Sequence, residues 1–246
     1  MAQGLIIIHL GRCGSTVLSD LLSQHSQISW SGEILEPLLQ TARRTHGNNF
    51  VLKVDPVTLA SDAIATCPTP FCGIEFKPFH INACQMSLSD FISGMRHSGI
   101  ENFVVLDRRN RLRKVVSSRL AAASGIWHVP AHAKRETHRV ALSVDMLKMD
   151  YFTGTLIEIL EMYETQFKEL RKLVSPNHLD LIYEDHIETD PEVGYRKVLT
   201  YFGLPYESIT VNLGRTSSGS LHTDLENYDE VAEHLAGTQF AWMLDC

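Results

Sequence analysis

Residues 5–18 read LIIIHLGRCGSTVL, and no other segment constrains the chain as tightly. A run of Leu and Ile has the length of a strand and breaks at Gly11. A short loop with Arg12, Cys13, Gly14, Ser15 and Thr16 follows, and helix-compatible apolar spacing resumes at Val17, Leu18, Leu21 and Leu22. Strand, glycine-containing turn and helix form an arrangement that grips a phosphate-like group. Amides at the helix N-terminus point at the anion, and the helix dipole favours negative charge there. Glycine lets the backbone approach closely, and the Arg12 guanidinium matches the fork of a phosphate or sulfate. A Walker A loop needs four residues between its glycines and a Lys before its Ser or Thr. Here only Arg12 and Cys13 separate Gly11 from Gly14, and no Lys precedes Ser15. An ordinary tight turn is the bland alternative.

The chain has 246 residues, enough for one α/β domain with a large core. Strands are predicted at 4–9, 50–54, 71–76, 102–107 and 179–183, and their continuous apolar runs suit a buried parallel sheet. Helices are predicted at 15–24, about 87–98, 110–123, about 153–174 and 191–202. Pro176 stops the fourth, while Pro191 opens the fifth and Gly203 follows it. The alternation predicts a single-domain α/β fold, a P-loop NTPase-like parallel sheet flanked by helices. Ligands of such sheets bind beyond the carboxyl ends of the strands, so the turns after residues 9, 76, 107 and 183 are expected to share one rim.

Net charge is −7, which disfavours general nucleic-acid binding. Against that trend, residues 108–119 read RRNRLRKVVSSR without an acid, a cationic island suited to a compact polyanion. Its alternative is a solvated basic helix face. The five cysteines are scattered without CxxC spacing, and no basic segment precedes the first apolar run. A reduced, cytoplasmic protein without a zinc cage is expected, with no membrane span.

Arg109 follows the strand at 102–107, and Ser117 lies eight residues on, slightly over two helical turns. At this point a resemblance emerges. GRCGST at 11–16 resembles the 5′-phosphosulfate loop of sulfotransferases, and RNRLRKVVS at 109–117 resembles their 3′-phosphate segment. LIYEDH at 181–186 resembles the family's strand ending in Tyr-Glu-Asp. The match spans most of the chain in the right order and is closest to bacterial and carbohydrate-type members.

The resemblance implies a sulfotransferase domain over 1–246. It would move a sulfonate from 3′-phosphoadenosine 5′-phosphosulfate (PAPS) to a hydroxyl, leaving 3′-phosphoadenosine 5′-phosphate (PAP), with no metal. Arg12, Cys13, Gly14, Ser15 and Thr16 would hold the 5′-phosphosulfate, Arg109 and Ser117 the 3′-phosphate, and Tyr183 would lie near the adenine. The stretch 214–238 resembles the closing loop of bacterial members, which would fold Arg215, Ser217 and Ser218 over the cofactor. A mobile Ser/Gly loop is its alternative.

The acceptor must lose a proton, and a Glu or His can take it. Glu33 lies 18 residues past Ser15, a spacing similar to that of the base in bacterial trehalose-type sulfotransferases. Glu36 competes with it, and FKPFH offers Lys77 and His80, at the place where cytosolic members carry a catalytic His. Segment 124–174 is expected to form pocket and lid for a carbohydrate, hydroxylated lipid or metabolite. A non-catalytic nucleotide-binding module and a P-loop kinase are the competing readings.

Overall fold

The computed structural model describes residues 2–47, 50–131, 133, 138–214 and 220–245. In chain order the central strands are β1 (Gln3–His9), β2 (Ile28–Gly32), β3 (Phe71–Phe76), β4 (Phe103–Asp107) and β5 (His178–Ile182). Helices α1 (Ser15–Ser23) to α5 precede β4, with α2 at Glu36–His46, α3 at Pro56–Ala65, α4 at Pro78–Ala83 and α5 at Leu88–His97. Then come α6 (Arg111–Ser124), α7 (Leu156–Val174), α8 (Tyr183–His186), α9 (Pro191–Phe202), α10 (Leu221–Asp224) and α11 (Tyr228–Leu235). By its internal packing the chain, expected as a single domain, divides into two compact units. One holds Met1–Asp107 and Lys168–Thr210, the other Arg108–Phe167 and Val211–Cys246.

The first unit carries the predicted parallel α/β sheet. All five strands pair in parallel in the order β2-β3-β1-β4-β5. Leu5, Ile6, Ile7 and Ile8 of β1, at the centre, are almost wholly buried. One face of the sheet packs α1 and α9 through Leu18, Leu21, Leu22, Tyr195, Val198 and Leu199. Two caps match their sequence signals. Asp190 accepts the Glu192 N–H ahead of Pro191, and Gly203 ends α9 in the left-handed region, at φ 68°.

Residues 50–54, predicted as a strand, are irregular and lead into α3. The missing strand is instead ISWSG at 28–32, which pairs with β3 alone at the sheet edge. An edge strand is partly wet, so β2 lacks the long apolar run that marks the buried strands. Because every strand runs the same way, the turns after His9, Gly32, Phe76, Asp107 and Ile182 lie at one rim, as expected.

The second unit contains α6, most of α7 and two short antiparallel pairs. These join Val129–Pro130 to Leu213–Gly214, and Leu147–Met149 to Phe152–Gly154. Segment 124–174, expected to supply helices, holds only α7 among its described residues. Lys114 of α6 is almost fully buried and reaches the Tyr163 hydroxyl at 2.5 Å and Asp150 Oδ2 at 3.5 Å. Tyr163 in turn donates to Asp150 at 2.7 Å. Burial and the neighbouring Asp150 charge raise the Tyr163 pKa well above its ordinary value.

Candidate active site

The loop after β1 is built around left-handed backbone. Gly11, Arg12 and Gly14 have φ of 73°, 56° and 81°. Gly14 is the N-cap of α1 and supplies no side-chain cap, so no cap side chain covers the first-turn amides. Arg12 and Thr16 are half-buried, and Ser15 is buried at the start of the helix. Cys13 is wholly buried in the core between sheet and helices. Its side chain is therefore a packing element, and only its backbone faces the loop's ligand side.

A β-carbon built on Gly14 would stand 2.5 Å from Ile187 Cγ2 and 3.0 Å from Tyr183 Cδ2. Tyr183, the first residue of α8 just past β5, thus lies against the glycine loop. Gly14→Ala is expected to lose about 2–5 kcal/mol of stability, since left-handed backbone costs a non-glycine residue about 1–2 kcal/mol and overpacking about 1–3 kcal/mol. Denaturant titration measures this, and a change within about 0.5 kcal/mol would contradict the close packing.

Next to this loop the rim carries a cluster of acids, histidines and one lysine. Glu33 follows β2, and its side chain is 24% exposed. Lys77 follows β3, and its Nζ lies 2.5 Å from Glu33 Oε2. The Lys77 Cε also lies 3.5 Å from where a Gly11 β-carbon would sit, so this side chain passes beside the anion loop on its way to Glu33.

His80 of α4 is fully buried. Its Nδ1 accepts the Lys77 N–H at 3.4 Å, while its Nε2 stands 3.2 Å from Glu36 and 3.7 Å from Glu33. Burial lowers the His80 pKa, and the Lys77 charge adds to that against the opposing pull of Glu36 and Glu33. Burial raises the Glu36 pKa, but the His80 hydrogen bond and the Lys77 charge outweigh it and hold the group at about 2. Neutral His80 thus serves Glu36 as a hydrogen-bond partner.

Two groups that the sequence reading passed over complete the cluster. His9 ends β1 and is fully buried; its Nδ1 accepts the Gly11 N–H at 3.0 Å. Its Nε2 lies 3.1 Å from Glu75 Oε2 and 3.9 Å from Glu33 Oε1. Glu75 of β3 is 4% exposed and accepts from Trp30 Nε1 at 3.0 Å. Burial works to raise the Glu75 pKa, and His9, Trp30 and Lys77 outweigh it, keeping the carboxyl below its ordinary value. The available signal was a His and a Glu set inside apolar strands, LIIIH and FCGIEF, where a polar group needs a partner. His9, Glu33 and Glu75, and likewise Glu33, Glu36 and His80, stand close enough to ligate a metal ion. Glu33, common to both sets, already pairs with Lys77.

In the second unit, Asn110 caps α6 by accepting the Arg113 N–H at 2.9 Å. Arg109 therefore stands just ahead of the helix and is exposed, and Ser117 is buried two turns along. The cationic island is only partly a solvated face: Arg108, Arg111 and Lys114 are under 10% exposed, whereas Arg109 and Arg119 are exposed. Arg215, Ser217 and Ser218 lie outside the described residues.

No protein-family model matches the chain, and no curated protein matches it in sequence. Among solved structures, the crystal structure of a sulfotransferase from Alicyclobacillus acidocaldarius superposes with a TM-score of 0.56. The match covers 100% of this chain and 95% of that one, at 12% sequence identity. The likeness is one of fold. It covers the full length of the chain, both units included. Among the described residues, no helix is long and apolar enough to cross a membrane.

Proposed function

We propose that this protein is a sulfotransferase that moves a sulfonate from PAPS to a hydroxyl acceptor. The supporting observation is the Lys77 bridge. The Lys77 side chain runs past the glycine loop suited to an anion, with Nζ 4.0 Å from where a Gly11 β-carbon would sit, and ends on Glu33, the carboxylate suited to a proton. The fold likeness to a sulfotransferase agrees with this reading. The residues fit the donor: an uncapped helix start, a loop of left-handed backbone, and cations at Arg12 and Lys77.

In the proposed reaction the acceptor oxygen forms a bond to sulfur as the sulfur–oxygen bond to the 5′-phosphate breaks, leaving PAP. Arg12 and the amides of α1 stabilise charge gathering on the leaving oxygen. Glu33 takes the acceptor's proton. It is chosen over Glu36 and His80 on two grounds. Glu36 is held at about 2 by His80, which leaves it a poor proton acceptor. His80 is fully buried, with Nδ1 committed to the Lys77 amide. When the anionic donor arrives, Lys77 turns toward it and releases Glu33. Arg109 and Ser117 hold the 3′-phosphate, and Tyr183 lies near the adenine. The acceptor is a carbohydrate, hydroxylated lipid or metabolite in the cytoplasm.

Calorimetry with PAP and with adenosine 5′-phosphate tests the reading. Removing the 3′-phosphate is expected to weaken binding more than about tenfold, because one charge-assisted contact is worth about 1.5 kcal/mol or more. Arg109→Ala should erase that difference. Equal affinities for the two nucleotides, or binding that requires Mg²⁺ as in a kinase, would overturn the assignment.

A further inference from the structure

His9 is a polar ring where the strand pattern asks for an apolar residue. It is fully buried, yet neither of its nitrogens faces hydrocarbon. Nδ1 accepts the Gly11 N–H at 3.0 Å, a bond open only to an unprotonated nitrogen, so the ring's proton sits on Nε2. Burial works to lower the ring's pKa, but Cys13 and Glu75 outweigh it and push the value up to about 10, and the Gly11 bond opposes that second protonation. That Nε2 is wholly buried, 3.1 Å from Glu75 and 3.9 Å from Glu33, and aligned for a hydrogen bond to neither.

The sheet order explains the placement. Strand β3 lies between β1 and β2, so Glu75 stands between His9 on one side and Trp30 on the other. Gly11, His9, Glu75 and Trp30 line up across three strand ends, with hydrogen bonds from Gly11 to His9 and from Trp30 to Glu75 and a 3.1 Å contact between His9 and Glu75. The line starts at the anion loop and finishes three residues before Glu33. A buried carboxylate is costly, and an apolar side chain of similar size often serves stability as well or better. Keeping Glu75 and His9 beneath the rim therefore points to a task beyond stability.

Resting on the sulfotransferase reading, we propose that His9 is a positioning residue whose two nitrogens have separate tasks. Nδ1 fixes the anion loop through Gly11. The Nε2–H holds Glu33 in place over Glu75, and takes over as its partner once Lys77 turns to the donor.

Two isosteric substitutions separate the tasks. The amide oxygen of Asn reproduces the acceptor at Nδ1, and the amide nitrogen of Gln reproduces the donor at Nε2. The full-length protein is followed by Gly11 amide exchange in NMR, by PAP affinity, and by sulfonate transfer from PAPS to water. In His9→Asn, Gly11 exchange and PAP affinity should stay within about twofold, while transfer at saturating donor falls about tenfold or more. In His9→Gln, Gly11 should exchange about tenfold faster and PAP bind about fivefold more weakly, with transfer at saturation reduced less than about threefold, the scale of one lost hydrogen bond. Glu75→Gln keeps an acceptor for Trp30 and should behave as His9→Asn does.

If both His9 variants change all three readouts alike, or change none, His9 is a packing residue and the proposal falls. If the wild-type protein fails to bind PAP, the sulfotransferase reading falls. The Gly11 exchange pattern then decides the loop anchor independently.

Discussion

Glu33→Gln is expected to slow sulfonate transfer by about 10² to 10⁴, the usual contribution of one general base. The substitution keeps the size of the side chain and an oxygen for Lys77, but the amide cannot take the acceptor's proton. At about 1.36 kcal/mol per decade, the loss corresponds to about 3–5 kcal/mol of barrier. PAP affinity should barely change, because the carboxylate is not an anion ligand and Lys77 stays beside the loop. Release of PAP from PAPS, with water as acceptor, measures the rate without knowledge of the natural alcohol. Glu36→Gln and His80→Asn made in parallel should cost less, because these two groups satisfy each other at 3.2 Å. A Glu33→Gln enzyme with near-normal transfer beside an inactive Glu36→Gln or His80→Asn variant would move the role to that residue. The sulfotransferase reading would survive the move.

Gly73→Ala is expected to destabilise the protein by about 3–5 kcal/mol, although it adds one methyl group to an ordinary strand position. A β-carbon there would fall inside the Trp30 indole, which lies flat over β3 at this point. The ring must swing away, and overpacking of this kind costs about 1–3 kcal/mol. The swing also pulls Trp30 Nε1 from Glu75, and a hydrogen bond to a charged group contributes about 1.5–3 kcal/mol. Because β2 pairs only with β3, loosening Trp30 also loosens the strand that leads to Glu33. Transfer activity should therefore fall as well. A double-mutant cycle decides the mechanism: in a Trp30→Ala background, Gly73→Ala should be nearly neutral. Equal cost in both backgrounds would show that Trp30 is not the obstacle.

The two predictions draw on different kinds of information. Glu33 was named from the sequence, by its distance from Ser15. The three strands of the buried sheet interior, and α1, α5, α6, α7 and α9, were also legible there within a few residues. Continuous apolar runs and proline or glycine stops are local signals. The edge strand β5 was legible as well, because LDLIY keeps four apolar or aromatic residues, whereas the edge strand β2 reads ISWSG and carries no such run. Nor was the weakness of 50–54, where an apolar pattern is met by irregular backbone with Leu52 alone buried among its residues.

By itself the sequence determined the alternation of elements and the glycine loop after the first strand, because each rests on contacts between residues near in the chain, and the strand-helix alternation in turn implied a parallel sheet. It also fixed the candidate list of Arg12, Glu33, Glu36 and His80. Only the tertiary structure decided how those candidates differ. It pairs Glu36 with a buried neutral His80, joins Glu33 to Lys77 beside Gly11, and runs His9, Glu75 and Trp30 beneath them. Those partners lie 44 to 66 residues apart in the chain and meet because parallel strands place all their carboxyl ends at one rim. Proton affinity and side-chain orientation depend on such neighbours and on burial, which no spacing along the chain encodes.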